Sequence, residues 1–257
     1  MTELVSYAVR DKVALITIER PDVHNAMSLD VFDQLGEQAR RAADDEEAGA
    51  VVVSGRGGTF SSGLDLATLG GVEGGIDDGF IARLQDSFTA FEDCPKPTLA
   101  AIEGYCFGGG IQLAAACHLR AVAPTAQLAV MERRWGLVPD LGGTWRLPRL
   151  IGLGRATELV LSGRKVAAEE ALAMGLAEIG LPADDPQAAA FAYARELAHG
   201  PGALRRTPAL LRDNLGRSRQ AALAAERAAQ LLSLSGPDVA EAITAFVEKR
   251  PAAFVGR

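Results

Sequence analysis

The chain has only three cysteines, Cys94, Cys106 and Cys117, in 257 residues. They are too few and too scattered for a disulfide framework or a cysteine-rich zinc site, so a reducing compartment is the simplest expectation. Basic runs are missing as well. No five Lys or Arg stand together, and 26 Lys plus Arg face 33 Asp plus Glu, for a net charge of −7. A nucleic-acid binder needs a basic face, and that class is excluded. No stretch approaches the ~18 apolar residues of a membrane span. Met1 to Lys12 carries Glu3 and Asp11 among apolar residues, without the charged-then-apolar layout of a secretion signal. Phe254 to Arg257 is not a peroxisomal address. The expectation is a cytoplasmic protein with no nucleic-acid or membrane partner. Histidine is scarce too: His24, His118 and His199 stand far apart, form no H-x-x-x-H pair, and predict no metal site.

Common nucleotide and hydrolase signatures also fail. Gly152-Leu153-Gly154 starts a dinucleotide fingerprint, but position 157 is Thr157. There is no Walker loop, and Ser61 and Ser62 do not sit in G-x-S-x-G.

What is present is an ordinary globular composition, 48% hydrophobic and 23% charged, enough apolar surface to offset the entropy of ordering. The 28 glycines exceed the ~7% of average usage. They cluster at 55–63, 70–79, 104–110, 142–143 and 152–154, marking loops or close backbone approaches. Residues 4–9 and 13–18 read as a hairpin, Ser28 as the cap of a helix to about residue 43, and the apolar run 50–53 as a strand buried on both faces. A long loop is expected from 55 to 79. A helix is predicted over 76–91, with Phe80, Leu84, Phe88 and Phe91 on one face. Further strands are expected at 98–102, 119–123 and 127–131, and a glycine loop followed by a helix at 108–117. Beyond 152 the pattern is helical: 152–162, 167–174, 185–199, 202–215, 219–234 and 237–249. This is an α/β pattern, divided as an α/β core over 1–195 and a helical C-terminal region over 196–257.

Three segments carry candidate chemistry. Gly57 to Leu66 and Ile102 to Gly110 each follow an expected strand and offer unobstructed backbone N–H groups, the second at a helix start, where negative charge is favoured. Met131 to Thr144 supplies two carboxylates, Glu132 and Asp140. In a helix, eight positions would separate them by ~12 Å along the axis. Pro139 and the nearby glycines favour a turn, which lets both face one cavity. Two backbone donors can hold a thioester oxygen while a carboxylate moves a proton on the adjacent carbon. An apolar pocket from Phe60, Leu66, Trp135 and Leu141 would raise one carboxylate toward neutral pH. Each feature also has a plainer reading. Glu132 can be a surface charge beside Arg133 and Arg134, Asp140 a turn residue, the run Gly108 to Gly110 a packing device, and Lys249 a solvated helix end.

Six segments in order resemble the crotonase (enoyl-CoA hydratase/isomerase) superfamily. They are Glu19-Arg20-Pro21 with Asn25-Ala26-Met27, Thr59 to Leu66, Lys96 to Ile102, Gly104-Tyr105 with Gly108-Gly109-Gly110, Gly136 to Thr144, and Ala245 to Arg250. The resemblance implies a spiral of ββα units with a helical C-terminal trimerisation region, acyl-CoA thioester substrates, no cofactor beyond the coenzyme A of the substrate, and homotrimers or hexamers. It implies that the N–H groups of Leu64 and Gly109 form the oxyanion hole, with Gly63, Asp65 and Gln112 as substrate-binding neighbours; the plainer reading of Asp65 is structural rather than catalytic. Val23 and His24 would lie along the adenine, and Phe246 and Lys249 would reach a neighbouring subunit's coenzyme A. Hydratases of the family use two glutamates. The second matches Glu132, but the first matches Gln112, which can position water and cannot act as a carboxylate acid or base. Asp140 matches an aspartate of double-bond isomerases. A proton-relocating isomerase is therefore favoured, with a hydratase and a non-catalytic acyl-CoA binder as the alternatives.

Overall fold

A two-residue turn starts the fold. Strands β1 (Val5–Arg10) and β2 (Val13–Ile18) pair antiparallel with Arg10 opposite Val13. Asp11 and Lys12 between them both take positive φ, 46° and 62°, the geometry whose twist matches a hairpin. The computed structural model describes residues 3–69 and 75–256. Along the chain follow α1 (Leu29–Asp44), β3 (Ala50–Gly55), α2 (Leu66–Leu69), α3 (Asp78–Glu92), β4 (Thr98–Ile102), β5 (Tyr105–Phe107) and α4 (Gly109–Ala116). Next come β6 (Leu119–Val122), β7 (Gln127–Ala129), α5 (Gly143–Ile151), α6 (Leu153–Ser162), β8 (Val166–Ala167), α7 (Ala168–Met174) and β9 (Ile179–Gly180). Four helices close the chain: α8 (Pro186–Ala198), α9 (Thr207–Asn214), α10 (Arg219–Leu234) and α11 (Pro237–Glu248).

The main sheet has six strands in the order β1-β2-β3-β4-β6-β9, parallel from β2 onward. A smaller sheet holds β5, β7 and β8. The continuous apolar run at 50–53 is explained by what covers it. Val51 and Val53 join Ile16, Ala100 and Ile102 in a core with α1 and α3, whereas Ala50 and Val52 join Val13, Leu99 and Ala101 against α8. Because side chains alternate between faces, only a strand covered on both sides can be apolar throughout. On the first face the Phe32 and Phe88 rings stack at 5.2 Å between centroids. Lys96 is buried beneath α1, and its ammonium donates to the carbonyls of Ala42 and Asp45.

Several expectations need correction. Ser28 stands at the N-cap of α1 but its side chain makes no capping bond. Asp77 caps α3 instead of a start at Ile76, its carboxylate accepting from Phe80 N at 2.8 Å. The expected loop 55–79 contains the short α2, and its residues 70–74 lie outside the described part of the chain. The strand expected over 127–131 ends at Ala129. β5 and the two-residue strands β8 and β9 were not expected. Helix 202–215 is broken into a 3₁₀ turn, Gly202–Arg205, and α9, with Pro208 in the first turn of α9. The turn expected through Gly142 and Gly143 opens helix α5, which carries Pro148 inside it.

The C-terminal helices bury little: α9 and α10 have no buried residue, while Phe246, Val247 and Leu231 are exposed. No helix among the described residues is long and apolar enough to cross a membrane, and no cluster of three His, Cys, Asp or Glu among them is placed to hold a metal ion.

Phe88 is fully buried between α1 and the sheet. Phe88→Ala should destabilise the chain by about 3–5 kcal/mol through lost transfer energy and the cavity left behind. Urea unfolding should then show a lower midpoint at an unchanged slope.

Candidate active site

Three separated stretches are knitted together before any acid arrives. Ser61 N donates to the Tyr105 carbonyl at 2.8 Å and Phe107 N donates to the Ser61 carbonyl at 3.0 Å. Met27 N donates to the Gly63 carbonyl at 2.8 Å and Asp65 N to the Met27 carbonyl at 2.9 Å. The Ser61 hydroxyl donates to the Asn25 carbonyl at 2.7 Å and accepts from Gly63 N at 3.1 Å. Buried Asn25 accepts from Arg20 N at 3.0 Å and donates to the Arg56 carbonyl at 2.9 Å. Gly63 has φ 99°, and a Cβ there would stand 2.7 Å from the Phe107 carbonyl oxygen, so only glycine permits this approach.

The knitting leaves two amides over. Gly63 and Asp65 take up the bonds to Met27, so Leu64 N–H turns the other way. Gly109 is the first residue of α4, where N–H groups have no intrahelical partner. Neither amide has an acceptor among the described residues. They are neighbours: Leu64 N lies 3.6 Å from where a Cβ on Gly109 would be, and Gly109 N lies 3.2 Å from that position on Gly63. Both line a cavity of about 360 Å³ together with Gln112, Glu132, Asp140 and Leu141.

Glu132 opens a 3₁₀ turn, Glu132–Trp135, and is buried, whereas Arg133 and Arg134 beside it are exposed. A surface role for this carboxylate is thereby set aside. Its Oε1 accepts from the Gln112 side-chain amide at 2.6 Å, and its Oε2 is buried without a partner. Burial pushes the Glu132 carboxyl up from its ordinary value and nearby Asp140 adds to the push, while its own backbone N–H, the Gln112 bond and the Met131 N–H oppose it. Asp140 is half-buried and burial raises it too. The Gln85 side chain donates to the Asp140 carbonyl and so holds the turn.

Of the remaining expected residues, Gly63 and Asp65 line the cavity. Asp65 pairs with Arg20 at 3.1 Å. Val23 and His24 stand on the surface beside the donor stretch, the His24 carbonyl accepting from Ser62 N at 2.9 Å. They do not line the cavity, and neither do Phe246, which is 85% exposed, or Lys249, which caps α11. Among the expected pocket walls, Trp135 and Leu141 line the cavity, but Phe60 is fully buried in the core and does not. The side chain of Leu66 lies outside the described part of the chain. Sequence reasoning missed Met131 and Leu137 on the lining. It also missed Gln85, for which the sequence carries no signal.

Because the folded-state pKa of Glu132 is raised, ionising it costs stability. That cost is absent below the unfolded value near 4.5 and complete once pH has risen past the folded value. Glu132→Gln should therefore raise the Tm at neutral pH, and the gain should vanish as pH falls below the ordinary glutamate range. Thermal unfolding of both forms across pH measures this.

The model of the family described as enoyl-CoA hydratase/isomerase matches residues 9–257. A probable enoyl-CoA hydratase of Bacillus subtilis is 34% identical over 255 residues, which cover 98% of this chain and 98% of that protein. A glyoxysomal fatty acid beta-oxidation multifunctional protein of Cucumis sativus is 39% identical over 178 residues, 68% of this chain but 24% of that longer protein. The crystal structure of a putative enoyl-CoA hydratase from Streptomyces coelicolor superposes with a TM-score of 0.93 at 33% identity, covering 99% of this chain and 94% of that one. A putative enoyl-CoA hydratase from Thermobifida fusca, solved in complex with CoA, superposes with a TM-score of 0.82 at 34% identity, covering 90% of this chain and 93% of that one. Two amides unpartnered among the described residues, the buried Glu132 carboxyl and the half-buried Asp140 carboxyl around one cavity thus sit in a chain that belongs to the enoyl-CoA hydratase/isomerase family of the crotonase superfamily.

Proposed function

We propose that this acyl-CoA enzyme relocates a proton, and with it a double bond, in an unsaturated acyl-CoA. The supporting observation is the shared cavity of Glu132 and Asp140 with the amides of Leu64 and Gly109, where Gln112 brings no second ionisable group against Glu132. The thioester oxygen accepts from the two amides. Ionised Asp140 takes a proton from the carbon alpha to the thioester. The electron pair of that C–H bond moves into the conjugated system, and negative charge develops on the oxygen, where the fixed N–H dipoles act most strongly. Protonated Glu132 then returns a proton to the gamma carbon, and the double bond moves into conjugation with the thioester. Asp140 has gained one proton and Glu132 lost one; exchange with solvent restores both. Raised pKa values suit both tasks, giving a stronger base and an acid that keeps its proton closer to neutrality.

Coenzyme A would lie along Val23 and His24, with Phe246 and Lys249 reaching a neighbouring subunit's ligand. The exposed apolar side chains of α10 and α11 support assembly into a homotrimer or hexamer through the region 196–257. The proposed location is the cytoplasm.

The relatives named as enoyl-CoA hydratases favour a second reading, addition of water to a 2-enoyl-CoA. Mass spectrometry separates the two. With a 3-enoyl-CoA in D₂O, relocation gives a product of unchanged skeleton that carries deuterium, and with crotonyl-CoA no product heavier by one water forms. Asp140→Asn and Glu132→Gln should each lower kcat at least about 10²-fold. Full turnover by both variants, or a hydrated product from the parent, would overturn the proposal.

A further inference from the structure

Gln112 is buried in the second turn of α4 and touches two groups. Its Oε1 accepts from Gly143 N at 2.9 Å, and its Nε2 donates to Glu132 Oε1 at 2.6 Å. The direction of this chain of bonds is not free. Gly143 N–H can only donate, so the amide atom facing it must be the oxygen. The –NH₂ end must therefore face Glu132, and the Glu132 oxygen it meets must be an acceptor. A proton on the side of Oε1 that faces Gln112 would point one donor at another, and a proton elsewhere on that oxygen would weaken it as an acceptor. Space is closed around the arrangement as well, since a Cβ on Gly143 would stand 2.7 Å from Gln112 Oε1.

We propose that Gln112 is a positioning residue that confines the mobile proton of Glu132 to Oε2, the buried oxygen with no partner among the described residues. The proton that Glu132 gives up then always leaves from one atom, in one orientation. This rests on the reading of Glu132 as a proton carrier. The same bond steadies the ionised form, because a donated hydrogen bond favours the carboxylate over the acid. Asp140 is the titratable group that opposes ionisation from across the cavity. Asp65 on the lining is paired with Arg20, Glu158 of the adjoining α6 with Arg164, and Arg133 and Arg134 face solvent.

The test reads Glu132 directly, without turnover. The infrared C=O stretch of its protonated carboxyl, identified by its loss in Glu132→Gln, is titrated in the whole protein. Gln112→Met keeps the length of the side chain and removes the donor, so the ionised form loses its side-chain partner and the titration should move up by about one pH unit or more. Gln112→Glu should behave differently. While protonated, the new carboxyl accepts from Gly143 N–H and donates to Glu132, as the amide does. Once ionised it opposes a second negative charge, and the Glu132 band should titrate in two coupled steps. Gly143→Ala disturbs the same bond from its other end and should shift the band in the direction of Gln112→Met, which keeps the test open if either position-112 variant fails to fold. An unmoved Glu132 band in the folded variants, even with a lowered Tm, would give Gln112 a packing role alone and overturn the proposal. If the parent turns over no enoyl-CoA at all, the isomerase reading falls, and the titration still decides the role of Gln112.

Discussion

Two main-chain N–H groups without acceptors are the constraint around which the rest is arranged. Leaving a buried donor unmade costs about 1–3 kcal/mol, and native chains rarely accept the cost without reason. Here both arise from the way neighbouring bonds are spent. The bridge from Met27 engages the residues on either side of Leu64, and Gly109 begins a helix. A side-chain donor would relax away when empty. A peptide N–H fixed by its neighbours' bonds cannot, so under the proposed mechanism its dipole would already be oriented when charge develops on a bound oxygen.

Under the proposed mechanism, the burial of Glu132 and the partial burial of Asp140 have a reason. A carboxylate close to a developing oxyanion would repel it if ionised. Burial, which favours the neutral form, limits that repulsion and sets the carboxyl nearer the pH at which it can both take and give a proton. The price is stability, because Glu132 would be better accommodated as an uncharged residue. In a chain of net charge −7, any polyanionic ligand must rely on local cations rather than on the field of the whole molecule.

What the sequence made legible follows from how local each cause is. The hairpin, the doubly buried strand at 50–53 and the face of α3 rest on alternation, on apolar runs and on spacing within a few residues, and all three are in the structure. Helix α5 was hidden because Gly142, Gly143 and Pro148 all argue locally against a helix. Its hold comes from distant partners: Gly143 N on Gln112, 31 residues earlier, and Arg146 on Glu92, 54 residues earlier. The site divides in the same way. Glu132 and Asp140 were named from their segment and Leu64 and Gly109 through the family resemblance, and the four share a cavity. That Phe60 belongs to the core, and that Gln112 grips Glu132 and Gly143 together, depends on which loops lie against which, and no spacing encodes it.

Cavity size alone would direct attention elsewhere. A larger space of about 540 Å³ opens between α4, α5 and α9. Most of its polar groups are already satisfied, Arg120 Nε excepted. Arg146 bonds Glu92 at 2.8 Å, Arg212 bonds Asp93 at 2.7 Å, and His118 Nδ1 accepts from Thr98 N at 3.1 Å. Paired groups hold a fold together but have little left to offer a reacting atom. The smaller cavity carries the opposite balance: two N–H donors without acceptors and a buried carboxyl oxygen without a donor. Unmet hydrogen-bonding capacity of both signs, converging on one space, distinguishes a place for chemistry from a gap between helices.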